Sequence, residues 1–276
     1  MFGAIYFNHL DVLRQSLRSM NEEMYRPAEP KGFVSALERL YIRLFGIPEL
    51  GLQIRAVYFK RAIKRLPPGM RTILDAGSGI GAYAVMLARR YPQAEVIGCD
   101  IDQAKVSFCK GLVNELGLKN LNFMTADVTS LDRLSQPYDL IVSIDVLEHV
   151  EDYASALRGF YRLLKPNGLL YIHTPQPKQI RIMKRFCSWH HQDHVREGFS
   201  AAALVGELSE LGFAKVDVRQ TFGGLGRFAW ELNHLTLAWS TWLGAAVFPP
   251  LYLVARLDPF LGNKTGLGVS LLAQKG

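Results

Sequence analysis

Residues Ile73 to Asp102 read ILDAGSGIGAYAVMLARRYPQAEVIGCDID. A short apolar run carries Asp75 near its end. Three glycines follow at alternate positions, Gly77, Gly79 and Gly81, and a second apolar run closes on Asp100 and Asp102. The runs read as two buried strands, and Gly81 to Arg90 as the helix between them. Glycines at that turn let backbone N–H groups approach a ligand closely. GSGIGA also fits the G-x-G-x-x-A form of a nicotinamide or flavin fingerprint, and Asp100 sits where an acid binds ribose hydroxyls in either case.

Outward from this stretch the pattern continues as strand and helix in alternation. NLNFMTAD reads as a third strand and YDLIVSID as a fourth, nearly all apolar, as a strand covered on both faces should be. DYASALRGFYRLL is a helix, which KPNG turns into a fifth strand, LLYIHTP. FSAAALVGELSELG is a further helix, FAKVDVRQTF a sixth strand and GVSLLAQK a last one. Asp102 is placed to cap the helix QAKVSFCKGLVNELG. Such alternation predicts an α/β fold, a mostly parallel sheet with helices on both faces. Residues 1–70 read as a helical N-terminal extension, interrupted at RPAEPKG and closed by Pro67, Pro68 and Gly69.

Two features of the residues separate the cofactors. Asp75 would repel a pyrophosphate but attract the ammonium of a methionine moiety. Asp127, ending TAD, is placed to accept a hydrogen bond from an adenine amino group. ILDAGSGIGAYA, VIGCDID, TADVTSL, YDLIVSIDVLEHVED and LLKPNGLLYIHTP, in that order, resemble the motifs of class I S-adenosylmethionine-dependent methyltransferases. The resemblance covers roughly residues 70–222 and the final strand. It implies a Rossmann-like seven-stranded sheet whose last strand is antiparallel, in a methyltransferase domain over 71–276. It also implies S-adenosyl-L-methionine as cofactor. Asp75, Gly77, Ser78, Gly79 and Gly81 would then face the methionine moiety, and Ser143 would also belong to the cofactor site. Asp100 would bind both ribose hydroxyls, Ile101 would lie against the adenine, and Asp127 and Val128 would meet its edge.

Methyl transfer from a sulfonium needs alignment of the acceptor and, for an oxygen acceptor, a base. If the chain turns helical after Asp145, then Asp145, Glu148 and His149 share one face. Loop fixing and helix capping account for Glu148 and His149 equally well. The stretch is similar to a motif of ubiquinone-biosynthesis O-methyltransferases in which acids and a histidine hold a divalent ion. Here Asp145 replaces the longer glutamate, and no metal ligand is assigned. The candidate catalytic residues are His149, His194 and Asp145. His194 opens HVREGFS, which resembles the family's segment above the active-site edge. Its neighbours His190, His191 and Asp193 show no regular metal spacing, and solvation explains them. His173 ends the fifth strand at the same edge, where a bond to backbone would suffice.

Residues 223–266 form an unusual insert between the sixth and seventh strands, with no charge from Leu235 to Ala255. That length is enough to span a bilayer, yet both flanking strand ends lie at one sheet edge, so a helix, a break at Pro249-Pro250 and a return are expected. A greasy cap, a dimer interface and a lid for a lipophilic acceptor all fit such a segment. Trp230, Trp239, Trp242 and Tyr252 suit a membrane-interface belt. The loop KQIRIMKRFCSWHH adds Lys178, Arg181, Lys184 and Arg185.

The 276 residues carry a net charge of +7 and are 49% hydrophobic. A basic surface fits anionic lipid or a phosphorylated acceptor, and a solvated surface accounts for it as well. No nucleic-acid motif is present, and no nucleic-acid partner is expected. Cys99, Cys109 and Cys187 make no metal pattern, and with no signal peptide they indicate a cytoplasmic chain with reduced thiols. The expected function is methyl transfer to a hydrophobic small molecule: quinol, phenolic, prenyl or lipid-like. Peripheral contact with a membrane is part of that expectation. An NAD(P)-dependent oxidoreductase, and a catalytically silent membrane-associated binding protein of the same fold, remain the alternatives.

Overall fold

The computed structural model describes residues 49–131, 134–183 and 194–276. The N-terminal extension up to residue 48, Lys184, Arg185, Cys187, His190, His191 and Asp193 lie outside the described residues. The chain divides into two compact units. Among the described residues, one comprises 62–131, 134–179, 194–220 and 267–276; the other comprises 49–61, 180–183 and 221–266.

A first helix, α1 (Leu50–Ile63), leads into the sheet unit. There follow β1 (Thr72–Ala76), α2 (Ala82–Arg90), β2 (Glu95–Asp100), α3 (Gln103–Leu116), β3 (Leu121–Thr125) and β4 (Tyr138–Ile144). Then come α4 (Tyr153–Leu163), β5 (Leu164–Pro175), α5 (Ala201–Glu210), β6 (Phe213–Thr221) and, after the insert, β7 (Gly268–Lys275). The seven strands lie in the order β3-β2-β1-β4-β5-β7-β6. β1 pairs in parallel with β2 and β4, while β7 runs antiparallel to β5. The order reverses between β1 and β4, and ligands of open α/β sheets bind at that switch point, beyond the strands' carboxyl ends.

Local signals fix the helices on the sheet. Asp102 accepts hydrogen bonds from the Ala104 and Lys105 N–H groups and caps α3; Gly117 closes it at φ 62°. Asp152 caps α4 and Ser200 caps α5 in the same way. α4 buries Ala156, Leu157, Phe160 and Leu163, one stripe at helical spacing, in the core with Leu170 and Ile172 of β5. Complete burial of Leu157 and Phe160 stabilises by about 2–3 kcal/mol each. One boundary differs from expectation. KPNG does not precede β5 but lies within it: Leu164 already pairs with Tyr138, the register shifts before Leu140, and Asn167 takes φ 62°. Asp139 anchors this irregularity by accepting from the Arg71 and Thr72 N–H groups and from Lys165 Nζ at 2.9 Å.

In the second unit the insert forms two helices, α6 (Gly224–Trp239) and α7 (Thr241–Leu257). The break falls at Ser240, extended at φ −158° and ψ 134°, and not at Pro249-Pro250, which lie inside α7. Proline's fixed φ is helical, and Pro249 is half-buried and Pro250 exposed, so neither ring has to enter the buried face of the helix. The tight corner has its own cause. A Cβ on Gly244 would stand 2.3 Å from Leu237 Cδ2, and Asn233 Nδ2 donates to the Gly244 carbonyl at 3.1 Å. At the open end Asp258, fully buried, accepts from the Gly223 N–H at 2.8 Å and from the Tyr58 hydroxyl at 2.6 Å. Glu231, also buried, accepts from the Ile182 and Met183 N–H groups. Trp230, expected at a membrane belt, is instead buried and stacked on His234 at 3.9 Å between ring centroids; Tyr252 is half-buried. No helix among the described residues is long and apolar enough to cross a membrane.

Candidate functional site

The site begins where β1 ends. Gly77, Gly79 and Gly81 all have positive φ, at 78°, 53° and 78°. The Gly77 and Ser78 N–H groups both donate to the Cys99 carbonyl at 2.8 Å, which ties the turn to β2. A Cβ on Gly77 would stand 2.3 Å from Val146 Cγ2, so shape as well as φ requires glycine there. No side chain caps the N-terminus of α2, whose N–H groups follow directly on this turn.

Asp75 is buried beneath the turn. One N–H, that of Ala84, stabilises its charge, yet burial raises its pKa to about 7, and the nearby charge of Asp100 pushes the same way. Its Oδ2 has no hydrogen-bond partner. Neither has Ser78 Oγ or Ser143 Oγ, both buried. Buried polar atoms without partners are rare and call for a ligand or water. An ammonium and a carboxylate, the two ends of a methionine moiety, match an acid and two hydroxyls.

Asp100 lies at the end of β2. Its Oδ2 accepts from the Gly79 N–H at 2.8 Å and its Oδ1 from the Asp102 N–H at 2.9 Å. Each oxygen keeps a second lone pair for a ribose hydroxyl. Ile101, next in the chain, is 70% exposed, as an apolar wall for an adenine must be. Asp127 falls not at a strand end but in the turn after β3. Its Oδ1 takes both the N–H and the hydroxyl of Thr129 at 2.8 Å, leaving Oδ2 for an adenine amino group. Val128 differs more: its side chain is in the hydrophobic core, so only its main chain could meet a ligand. Cys99 and Cys109 are free, and burial pushes both thiols up to about 12, which leaves them inert.

The acids and histidines after β4 depart from the expected single helical face. Asp145 takes φ 52°, and its N–H donates to the His173 carbonyl at 2.9 Å. Its carboxylate lies 2.5 Å from His173 Nδ1. The backbone thus turns before any helix forms, and Asp145 joins His173. His173 does more than bond backbone. Leu147–His149 make one 3₁₀ turn. Glu148 is buried and accepts from the Thr174 hydroxyl at 3.1 Å, while His149 is exposed.

His194 meets His149 edge to face, with 4.5 Å between ring centroids. Arg196 makes this meeting possible. Its guanidinium donates to the Leu147, Val150 and Glu151 carbonyls at 2.6, 2.5 and 2.9 Å and lies over the Tyr153 and Phe199 rings. The Val195 and Arg196 N–H groups both donate to the Glu148 carbonyl. Ligand atoms of Glu148, His149 and His194 lie within 4.8 Å of one another, a grouping able to hold a metal ion, where the sequence assigned none. The sequence signal was Arg196, two residues past His194, but a cation alone does not reveal which carbonyls it will clamp.

A family model described as a methyltransferase domain matches residues 69–216, over half of the chain. The chain belongs to the methyltransferase-domain family. Its cofactor is S-adenosylmethionine, and the orphaned Asp75, Ser78 and Ser143 atoms fit that group's amino-acid end. The chain is 34% identical over 129 residues to phosphoethanolamine N-methyltransferase 3 of Arabidopsis thaliana, covering 44% of this chain and 26% of that one. It is 31% identical over 119 residues to demethylmenaquinone methyltransferase of Thermus thermophilus, covering 42% and 52%. The chain thus spans about a quarter of the first of these relatives and about half of the second. In fold it is similar to an S-adenosylmethionine-dependent methyltransferase of Archaeoglobus fulgidus, with TM-score 0.56 and 20% identity over 87% of this chain and all of that one.

Proposed function

We propose that this chain transfers a methyl group from S-adenosylmethionine to a hydrophobic small molecule, a quinol, phenol or lipid-like acceptor. One observation carries the transfer: a buried carboxylate, Asp75, with an unpartnered oxygen beside the glycine turn and the equally unpartnered Ser78 and Ser143 hydroxyls. When bound, the cofactor supplies a methyl group on a sulfonium, already activated for in-line displacement. Asp75, Ser78 and Ser143 hold the amino-acid end, Asp100 the ribose, and Ile101, Asp127 and the Val128 main chain the adenine. His149, His194 and the Asp145–His173 pair are the groups able to take a proton from an acceptor hydroxyl.

Two findings support the hydrophobic acceptor. The insert presents a surface without acidic side chains and rich in exposed apolar ones. The relative from Thermus thermophilus is named for a quinone-class acceptor. An acceptor of that class partitions into membranes, so peripheral membrane contact belongs to the same reading.

The test is a product analysis. The chain is incubated with S-adenosylmethionine and either demethylmenaquinol in mixed micelles or phosphoethanolamine, and methylated product is sought by mass spectrometry. Methylated quinol supports the proposal. Methylation of phosphoethanolamine alone overturns the acceptor class, and no binding of S-adenosylmethionine by calorimetry overturns the whole reading.

A further inference from the structure

Segment Thr221–Gly266 contains two acidic residues, Glu231 and Asp258, and both are fully buried. Of its cations, Arg227 is buried, while Arg256 and Lys264 stand exposed. Every charge that the segment presents to its surroundings is therefore positive.

Between these charges α7 is apolar on both sides. Ala245, Phe248, Leu251 and Ala255 are buried. On the other side Trp242, Ala246, Pro250, Leu253 and Leu257 are exposed and recur at steps of three and four, a single stripe about 22 Å long at 1.5 Å per residue. Trp239 precedes the stripe, and Phe260 and Leu261 follow it. The large side chains here, Trp239, Trp242, Leu253, Leu257, Phe260 and Leu261, are between 57% and 71% exposed. A helix apolar all round belongs in a core or in lipid. α7 cannot span a bilayer, because it is too short and its hairpin is tied at both ends through Gly244 and Asp258.

We propose that this stripe lies in the surface of an anionic phospholipid bilayer, with Arg256 and Lys264 on lipid phosphates. Tryptophan at one end and phenylalanine at the other suit the headgroup boundary, and a helix of this kind lies in the interface plane. A two-fold contact between copies through this segment is disfavoured, since it would bury Arg256 and Lys264 with no exposed acid of the segment to pair them. The purpose of the surface, access to a membrane-dissolved acceptor, rests on the proposed function; its existence does not.

The test is co-sedimentation of the full chain with vesicles of phosphatidylcholine alone or with about a third phosphatidylglycerol. Binding to the anionic vesicles is expected, with tryptophan emission moving to shorter wavelength. Affinity should fall when salt is raised from about 0.1 M to about 0.5 M. The double variant Leu253→Glu, Leu257→Glu should lose at least about tenfold in vesicle affinity. Its melting temperature and S-adenosylmethionine affinity should be unchanged. Because both side chains are already exposed, folding should survive; were the double variant to unfold, Trp242→Ser serves in its place. Absence of vesicle binding by the unaltered chain, or equal binding by the folded variant, overturns the proposal. So does a dimer that these substitutions dissociate. Vesicle binding without quinol methylation leaves the docking surface standing and removes the proposed acceptor.

Discussion

Replacing Asp75 with asparagine separates what this acid does to the fold from what it does for the cofactor. Burial raises its pKa from 3.8 to about 7. At about 1.36 kcal/mol per unit, that shift is at most about 4 kcal/mol. The sign follows from the direction. A carboxyl whose folded pKa is raised contributes stability fully present below its unfolded value, and the contribution is lost as pH rises through the folded value. Cofactor-free protein should therefore lose stability between about pH 4 and about pH 7 through Asp75, and Asp75→Asn should not. From about pH 5 to about pH 8, the stability difference between variant and unaltered chain should grow by about 3 kcal/mol in the variant's favour. Other titrating groups cancel in that difference as long as they are not coupled to this site. Cofactor binding should run the opposite way. The methionine ammonium needs the carboxylate, so affinity for S-adenosylmethionine should rise about tenfold per pH unit up to about pH 7. Asp75→Asn should weaken binding and flatten that slope. Urea denaturation at both pH values and calorimetry with S-adenosylmethionine measure the two halves. Parallel stability curves for the two proteins, or cofactor affinity independent of pH between 5 and 7, would refute the reasoning.

Further predictions rest on other contacts. Gly77→Ala puts a Cβ 2.3 Å from Val146 Cγ2 at φ 78°; a loss of about 2–3 kcal/mol in denaturant is expected, partly restored by Val146→Ala. Arg196→Met removes the clamp on the Leu147, Val150 and Glu151 carbonyls; kcat should fall at least about tenfold while S-adenosylmethionine affinity stays within about twofold, read by steady-state kinetics and calorimetry. Asp258→Asn weakens the acceptor shared by Tyr58 and the Gly223 N–H, and a lowered urea midpoint worth about 2–3 kcal/mol is expected. His149→Gln should abolish transfer to a hydroxyl acceptor but leave cofactor affinity unchanged, which an exchange of cofactor fluorescence analogues would report.

Much of the cofactor half was legible in the chain, because its signals are local. Strand, glycine turn and helix follow one another within a few residues. Asp75, Gly77, Ser78 and Asp100 reach one place simply because β1 and β2 are parallel neighbours. The caps at Asp102 and Ser200 needed nothing beyond the adjoining N–H groups. The edge that carries the candidate catalytic residues was less legible, since its arrangement is decided by contacts distant in sequence. The spacing of Asp145, Glu148 and His149 suggested one helical face, but pairing of β4 with β5 presents His173 to Asp145 first, and the left-handed turn there prevents the helix. His194 meets His149 only because Arg196 finds three carbonyls that no pattern announces.

The insert divides along the same line. Its uncharged run from Leu235 to Ala255 declared an apolar, membrane-length segment from composition alone, and the two flanking strands required it to return. Where it turns was a tertiary matter: Gly244 packing on Leu237 closes the corner at Ser240, and helical φ values let Pro249 and Pro250 continue α7. Which aromatic rings face outward was likewise undetermined by pattern, since a helix apolar on every side has no preferred face until a neighbour covers one. Packing chose Trp230 for the interior and left Trp239 and Trp242 outside. Period and composition are properties of the chain itself, whereas burial is a property of pairs of surfaces and exists only once the chain has folded.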